Sequence, residues 1–345
     1  MPRILVRWAT VGLALAVMIG AAGATAAPTK STGKTKITAT INLSVAGAND
    51  FAGVDIPYFA DLLQKNGIDV KMTFVPDASA ALRTLIAGQA DLFIGSLPTA
   101  ILAVTNGGGK IKILAANNQA SDYVLIGQLG LNLNNLSGKT LAIDRPGSAG
   151  HVASLIGLEK LGVNPDILRT VRVGNSSARL TAVLAGQVDL APLHYPDALT
   201  ALATGKVINV VNVGKAIGPY LQSGLISTDS LIAKDSATVQ KVVNAFINAQ
   251  RWAASNKYNY VKYAKANKLT ANLDDAQMYK VWDFYKEISF FGTNGGICPA
   301  NFTAFVKANW RTATLPKPLP ARSDFLNASF VNTYLKAHKQ KPNTC

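Results

Sequence analysis

The sequence predicts an α/β protein of two lobes, with mostly parallel sheets and a helical C-terminal part. Three observations lead to this fold class. Segments with strand character alternate with segments of helical periodicity from residue 36 to residue 232. One pattern occurs twice, as LIAGQADLFIGS at 85–96 and as LAGQVDLAPLHY at 184–195. The length of 345 residues is sufficient for two lobes.

The first block alternates four strands with three helices. Asp55 can cap a helix that has Pro57 in its first turn and Gly67 at its end. Asp77 can cap a second helix, which Gly88 stops. The predicted strands are 36–43, 69–75, 90–95 and 111–116, and a third helix is predicted at 98–106. Such βαβ units favour a parallel sheet covered on both faces.

The second block repeats this order after a change of pattern at 123–128. Predicted strands at 136–144, 168–174 and 188–193 alternate with predicted helices at 146–162 and 177–186. A return strand is expected at 224–232, and helical periodicity dominates from residue 239 onwards. The duplicated pattern falls where a helix turns into a strand in each block, so a duplicated structural unit is predicted.

The predicted domain organisation follows from these two blocks. The segments are a signal peptide at 1–26, the first part of lobe 1 at 36–124, lobe 2 at 125–222, a return to lobe 1 at 223–290, and a C-terminal helical extension at 291–345.

The N-terminus has the layout of a cleaved export signal. Arg3 and Arg7 precede an apolar run at 8–22, and the small residues Ala24, Thr25 and Ala26 follow it. A membrane anchor is the alternative, but the apolar run is short for a membrane span. No cysteine lies near the cleavage point, so a lipid anchor is not expected. A free periplasmic or secreted protein is therefore predicted.

The only two cysteines are Cys298 and Cys345. A pair of cysteines in an exported chain favours a disulfide, although two free thiols are the alternative. Closing a loop of 47 positions would stabilise the fold by roughly 4 kcal/mol in the chain-entropy account.

The net charge is +15 for the full sequence and +13 after removal of Arg3 and Arg7 with the signal. A nucleic-acid partner is not expected, because the chain carries an export signal and its basic residues are scattered without aromatic clusters. The positive charge would draw in an anionic ligand.

Three motifs in order resemble a known family. They are LIAGQADLFIGSLPTAI in the first block, LSGKTLAIDRPGSAGH opening the second, and LAGQVDLAPLHYPDAL further on. Over about residues 36 to 270 the chain resembles the type II periplasmic solute-binding proteins of the nitrate, sulfonate and taurine transport group. The resemblance implies a Venus-flytrap fold that closes over a small solute and delivers it to the inner-membrane permease of an ABC importer. It also implies a monomer without catalysis and without a cofactor.

The main candidate binding segment is the predicted helix start in PGSAGH. Ser148, Ala149, Gly150 and His151 would present unpaired backbone N–H groups to an anion there. An ordinary capped helix start is the alternative. Arg145 just before it would bind a sulfonate or carboxylate, or else face solvent.

Other candidates follow the ends of predicted strands, where ligands sit in open α/β sheets. Phe51 would stack on a planar ligand or belong to the core, and Asp50 would cap a segment or bind an amine. Asp122 and Tyr123 near the crossover would face the cleft or serve the hinge. The remaining candidates are Asn49 after the first strand, the helix start Ser96, Leu97, Pro98 and Thr99, and His194 and Tyr195 after the second repeat.

Two tempting chemical interpretations are disfavoured. Asp91 and Asp189 form the repeated turn, so they are expected to bond backbone amides rather than act as a catalytic pair. His151 and His194 lack a clear third metal ligand, so no metal is expected.

Two other functions stay open. One is an enzyme on the same fold, similar to the fungal thiamine-pyrimidine synthase, although this chain lacks that enzyme's clustered cysteines. The other is an exported subunit that reports a solute to a membrane kinase. Sulfonates, nitrate, taurine-like zwitterions, aromatic acids and flat heterocycles such as pyrimidines are all candidate ligands.

Overall fold

The computed structural model describes residues 38–46, 53–75, 77–106, 110–298, 301–303, 305–306, 309 and 321–341. The predicted signal peptide, Asn49, Asp50, Phe51 and Cys345 lie outside these residues. Cys298 is buried, and its predicted disulfide with Cys345 stays a prediction. Of the helices within the described ranges, none has the length and apolar character that crossing a membrane requires.

Ten strands and thirteen helices are described by name here. The strands are β1 (Ala39–Ala46), β2 (Ile68–Val75), β3 (Leu92–Ser96), β4 (Ile111–Ala116), β5 (Tyr123–Gln128), β6 (Thr140–Ile143), β7 (Arg169–Arg172), β8 (Leu190–His194), β9 (Val207–Asn212) and β10 (Ser223–Thr228). The helices are α1 (Asp55–Lys65), α2 (Ala78–Ile86), α3 (Leu97–Thr105), α4 (Ala149–Lys160), α5 (Ser176–Leu184), α6 (Tyr195–Ala203), α7 (Val213–Ile217), α8 (Asp229–Lys234), α9 (Ser236–Ser255), α10 (Lys257–Ala266), α11 (Asp275–Glu287), α12 (Arg322–Phe325) and α13 (Ser329–Ala337).

The strands form two sheets of the same design. The first lobe has the strand order β2-β1-β3-β10-β4, and the second lobe has the order β7-β6-β8-β5-β9. The fourth strand of each sheet is β10 in the first lobe and β5 in the second, and in both cases the chain reaches it from the other lobe. This strand runs antiparallel to both of its neighbours. Each sheet is therefore mixed, with four strands parallel to one another and one antiparallel, which confirms the prediction of mostly parallel sheets. The return strand expected at 224–232 is β10.

The chain crosses between the lobes twice. Residues 117–122 connect β4 to β5, and residues 218–222 connect α7 to β10. The crossings run side by side, with an antiparallel bridge between Ala120 and Pro219 and a bond from the Tyr220 N–H to the Gln119 carbonyl at 3.1 Å. They bring polar residues distant in sequence to the boundary between the lobes.

The duplicated sequence pattern occupies the same place in both lobes. It ends α2 at Gly88 and α5 at Gly186, and both glycines have φ of +71°. The Asp91 carboxylate then accepts the Asn42 N–H of β1 at 2.8 Å, and the Asp189 carboxylate accepts the Thr140 N–H of β6 at 2.8 Å. The expected structural role is confirmed, but the bonded amides belong to the neighbouring strand and not to the turn itself.

The C-terminal helices complete the core of the first lobe. Phe246 of α9 packs edge-on against Phe59 of α1, and Phe330 and Leu335 of α13 join the same buried cluster. The Asn327 N–H donates to the Ile113 carbonyl at 3.0 Å, which fixes the last segment beside β4. The C-terminal segment is thus part of the lobe core.

Candidate functional site

A polar cavity lies between the lobes, next to the carboxyl ends of β1, β3, β6 and β8. Both lobes line it, and so do both chain crossings. This is the position at which open α/β sheets bind ligands, because loops and helix starts converge there.

The start of α4 faces this cavity from the second lobe. Ser148 stands at the N-cap position with only 3% of its surface exposed, and its Oγ has no hydrogen-bond partner. Gly150 lies so close to Tyr123 that a Cβ on it would be 3.2 Å from the ring. The first backbone N–H groups of a helix lack partners within the helix. A buried hydroxyl and unpaired amides therefore converge on a place suited to an anion.

The start of α5 faces the same cavity. Asn175 caps this helix by accepting the Ala178 N–H at 3.0 Å, and Ser176 and Ser177 form its first turn. The Ser176 Oγ accepts the His194 N–H at 3.0 Å, which ties the helix start to the end of β8. Two helix N-termini of the second lobe thus direct their dipoles into one cavity.

Arg179 supplies a buried positive charge to the cavity wall. It is 3% exposed, its Nε donates to the Pro192 carbonyl at 2.8 Å, and its Nη1 donates to the Gly174 carbonyl. Within the described chain, no carboxylate lies within 4.0 Å of its guanidinium. The main-chain bonds hold the guanidinium in place, and its positive charge acts on nearby Asp144.

Asp122 and His194 form a hydrogen-bonded pair beside the cavity. The His194 Nδ1 is 2.9 Å from the fully buried Asp122 carboxylate, which also accepts bonds from Gln222 at 2.8 Å and from the Tyr285 hydroxyl at 3.3 Å. Burial raises the pKa of Asp122, but the attraction of His194 and these hydrogen bonds outweigh it and hold the pKa below its usual range. The charged form of the Asp122 carboxyl group is therefore favoured.

Two further carboxyl groups reach the cavity. Asp77 caps α2 by accepting the Ala80 N–H at 2.7 Å, and Arg172 of the other lobe lies 3.8 Å from its carboxylate. The Oδ1 atom of Asp144, just after β6, is buried without a hydrogen-bond partner. Burial and the nearby negative charge of Asp77 raise the pKa of Asp144, although three arginines oppose this.

A hydrogen bond joins the two lobes. Ser96 caps α3 by accepting the Thr99 N–H at 3.3 Å and the Thr99 hydroxyl at 2.8 Å. The Arg145 Nη2 of the second lobe donates to the same Thr99 Oγ1. Arg145 thus contacts the first lobe.

The structure separates the predicted site residues into three groups. Those lining the cavity are Ser96, Asp122, Tyr123, Ser148, Ala149, Gly150 and His194. Those lying away from its wall are Leu97, Pro98, Thr99, Arg145, His151 and Tyr195. Asn49, Asp50 and Phe51 lie outside the described ranges.

The residues away from the wall have other partners. Leu97, Pro98 and Thr99 are buried at the start of α3. The His151 Nδ1 accepts the Gly147 N–H at 3.0 Å, and Tyr195 stacks on Phe284 of α11 with ring centroids 3.9 Å apart. His151 and His194 therefore have separate structural roles. In the described part of the chain, no three His, Cys, Asp or Glu side chains come together in a way that could hold a metal.

Several cavity residues escaped the sequence interpretation. Asn117, Asn118, Gln222 and Ser223 come from the two crossings, which only the topology brings together. Arg179 carried a usable signal, since it is a charged residue on the buried side of an otherwise uncharged helical segment.

The family follows from a match to a family model described as NMT1/THI5 like, which covers residues 58–258. This is more than half of the chain, so the chain belongs to that family. No curated protein sequence matches the chain.

Solved structures share the fold at low sequence identity. The ligand binding component of an ABC-type import system from Staphylococcus aureus, with zinc bound, has 14% identity and a TM-score of 0.71, covering 86% of this chain and 98% of its own. The periplasmic aliphatic sulphonate binding protein SsuA from Escherichia coli has 16% identity and a TM-score of 0.60, with coverages of 84% and 92%. The desulfurization enzyme DSZB has 15% identity and a TM-score of 0.60, with coverages of 87% and 100%. At these identities the likeness establishes the two-lobed fold alone.

Proposed function

We propose that this chain is the extracytoplasmic substrate-binding protein of an ABC importer. Its ligand would be a small anionic or zwitterionic solute of the kind represented by sulfonates, taurine-like molecules, nitrate or aromatic acids. The protein would act as a periplasmic monomer, deliver the solute to an inner-membrane permease and catalyse no reaction.

One observation carries the proposal. The Ser148 Oγ is buried and unpartnered at the start of α4, inside a cavity that also holds the start of α5 and the Arg179 guanidinium. A buried polar atom without a partner costs roughly 1–3 kcal/mol, which an anionic ligand accepting its hydrogen bond would recover. The import-system and sulphonate-binding proteins of the same fold support the transport role.

The proposal includes the processing of the chain. Residues 1–26 would be removed on export, and Cys298 and Cys345 would be joined by a disulfide. Mass spectrometry of the mature protein tests both points. We expect an N-terminus at Ala27 and no alkylation of the unreduced protein, whereas labelling of two thiols would contradict the disulfide.

The function is tested by native mass spectrometry of the purified mature protein and by thermal shifts of the stripped protein. We expect a retained small molecule, or a rise in melting temperature with one class of anion. A ligand at a hundredfold its Kd should stabilise the protein by about 2.7 kcal/mol. The Ser148→Ala variant should fold normally and respond less to the same ligand. A panel without any shift, together with no retained molecule, would contradict the proposal.

An enzyme is the second candidate, because the desulfurization enzyme DSZB has the same fold and because His194 forms a hydrogen-bonded pair with the buried Asp122 beside the cavity. Biphenyl-2-sulfinic acid, the compound in a DSZB complex, is a direct probe. Consumption of this compound by the wild type, lost in His194→Gln, would favour the enzyme. Binding without consumption would favour the transport role.

A further inference from the structure

The helix α11 is attached to the first lobe. The Trp282 Nε1 donates to the Ala253 carbonyl of α9 at 2.8 Å, and the Lys286 Nζ donates to the Ala254 carbonyl at 3.1 Å. Because α9 packs in the core of the first lobe, these bonds fix α11 to that lobe. Any contact of α11 with the second lobe therefore joins the two lobes.

Such contacts exist with the helices α6 and α7 of the second lobe. Phe284 of α11 stacks on Tyr195 at the start of α6, with ring centroids 3.9 Å apart and ring planes inclined by 22°. The Glu287 carboxylate at the end of α11 lies 2.6 Å from the Lys215 Nζ of α7. The Lys215 Nζ also lies 5.9 Å from the centroid of the Phe284 ring. Phe284 thus meets an aromatic ring and a cation of the other lobe.

The aromatic stack is the stronger part of this contact. Phe284 is 4% exposed, and Tyr195 is half-buried. Stacked rings gain stability beyond the burial of their area. The side chains of Lys215 and Glu287 are 50% and 58% exposed, so their ion pair contributes little.

The C-terminal end of α11 also contacts the first chain crossing at 117–122. The Tyr285 hydroxyl donates to the Asp122 carboxylate at 3.3 Å. Directly after the helix, the Phe290 carbonyl accepts the Gln119 N–H at 2.9 Å. The helix is therefore fixed both to the connection between the lobes and to the second lobe itself.

Rotation of the second lobe about the crossings would displace Tyr195 from Phe284, because one ring moves with each lobe. Tyr195 directly follows His194 of the cavity wall. The stack occurs in the same arrangement of the lobes as the bond between Arg145 and Thr99. It therefore stabilises the arrangement in which both lobes line the cavity.

We propose that Phe284 and Tyr195 are positioning residues, which hold the second lobe in this arrangement from outside the cavity wall. Tyr195 would thus support binding through α11 and not through contact with the ligand. The expected effect on affinity rests on the proposed function, whereas the expected effect on the lobes needs no ligand.

The first test measures the distance between the lobes by double electron–electron resonance. Spin labels are attached to ketone side chains incorporated at Lys71 of β2 and Arg169 of β7, two exposed positions in different lobes, so that the cysteines take no part. We expect Phe284→Leu to broaden the distance distribution away from that of the wild type. The matched control is Tyr279→Leu, which removes a ring of α11 whose partner Tyr258 lies on the adjacent helix α10, with centroids 5.4 Å apart.

The second test measures the affinity for propane-1-sulfonate and for nitrate by isothermal titration calorimetry. Phe284→Leu and Tyr195→Leu should each weaken both probes about three- to tenfold, because the binding arrangement becomes less populated, and the ratio between the probes should stay. The double variant should bind no more weakly than the weaker single variant, since both changes remove one stack. Circular dichroism and melting curves check that the variants fold.

The outcomes separate this proposal from the proposed function. An unchanged distance distribution in Phe284→Leu, or equal broadening in Tyr279→Leu, would overturn the positioning role and leave the transport role standing. A changed ratio between the probes in Tyr195→Leu would also overturn it, because Tyr195 would then contact the ligand. Broadening in Phe284→Leu alone, with no binding of either probe by the wild type, would support the positioning role and contradict transport of these anions.

Discussion

The two lobes share one strand order but carry different residues at matching positions. Each lobe has a helix start that faces the cavity after its outermost strand, capped by Asp77 in the first lobe and by Asn175 in the second. Four residues further on, the first lobe has Ala81 and the second has Arg179, and both are buried. The same frame therefore presents an acid on one side and a cation on the other.

A similar difference occurs after the central strand of each sheet. Ser96 caps α3 with its own side chain, while the equivalent His194 makes no cap to α6 and pairs with Asp122 instead. The first lobe uses this position for local stability, and the second uses it to connect the strand end with the crossing. The helix starts of the two lobes thus carry different charges within the same fold, so ligand preference depends on a few side chains.

The largest expected effect comes from removing the cation that only the second lobe has. Arg179→Met should weaken binding of an anionic ligand by about a hundredfold or more, because a buried charged contact is lost. Some stability should be lost as well, since the Pro192 and Gly174 carbonyls lose a donor. Isothermal titration calorimetry measures the affinity.

Arg83→Met is the control for Arg179→Met. It removes the same charge from an exposed position of the equivalent helix α2. Equal weakening of ligand binding by both variants would contradict a specific role of the Arg179 charge.

The next effect concerns Asp55, which opens α1 where α4 of the second lobe has Ala149. Burial raises the pKa of Asp55 to about 6, although Gln250 donates to its carboxylate at 2.6 Å. Between about pH 4 and pH 6 the folded protein therefore holds a proton that the unfolded chain releases, so the free energy of unfolding falls as pH rises through this window.

Asp55→Asn should remove this pH dependence. At pH 8 the variant should be more stable than the wild type by up to about 3 kcal/mol, and near pH 4 the difference should vanish. Urea unfolding at both pH values measures it, with exposed Asp166→Asn as the control. Equal destabilisation at both pH values would contradict the raised pKa of Asp55, because the effect of the substitution would then not depend on protonation.

A smaller effect is expected from making the two caps alike. Asp77→Asn gives α2 the cap that α5 already has, so the melting temperature should change little. Removal of the negative charge near Asp144 should strengthen binding of propane-1-sulfonate a few-fold, as expected for a partly screened charge. Asp229→Asn, a change in the first turn of α8 away from the cavity, should leave binding as it is.

Sequence patterns predicted those parts of this molecule that depend on local chemistry. Gly88 and Gly186 end helices because both have a positive φ, and Asp77 caps α2 as the pattern predicts. The start of α4 lines the cavity because a helix following a strand end is a local feature.

The parts that depend on long-range pairing escaped prediction. Gln222 reaches Asp122 across 100 positions. The return strand was expected, but its place between β3 and β4, antiparallel to both, depends on pairing with residues distant in sequence. Arg145 was expected to bind the ligand or to face solvent, and its partner Thr99 lies in the other lobe. A hydrogen-bond donor at a strand end has several possible partners in a sequence, and the approach of the second lobe decides between them.

The smallest expected change in affinity tests the contacts between the two lobes. Arg145 contacts Thr99 between the lobes while partly buried, whereas Arg172 lies 3.8 Å from Asp77 with 65% of its side chain exposed. Arg145→Met should weaken every ligand about threefold, because the closed arrangement loses one bond, and the ratio between ligands should stay. Arg172→Met should change affinity little, since exposed ion pairs contribute little. A larger loss of affinity in Arg172→Met than in Arg145→Met would mean that the contact of Arg172 with Asp77, and not that of Arg145 with Thr99, supports ligand binding.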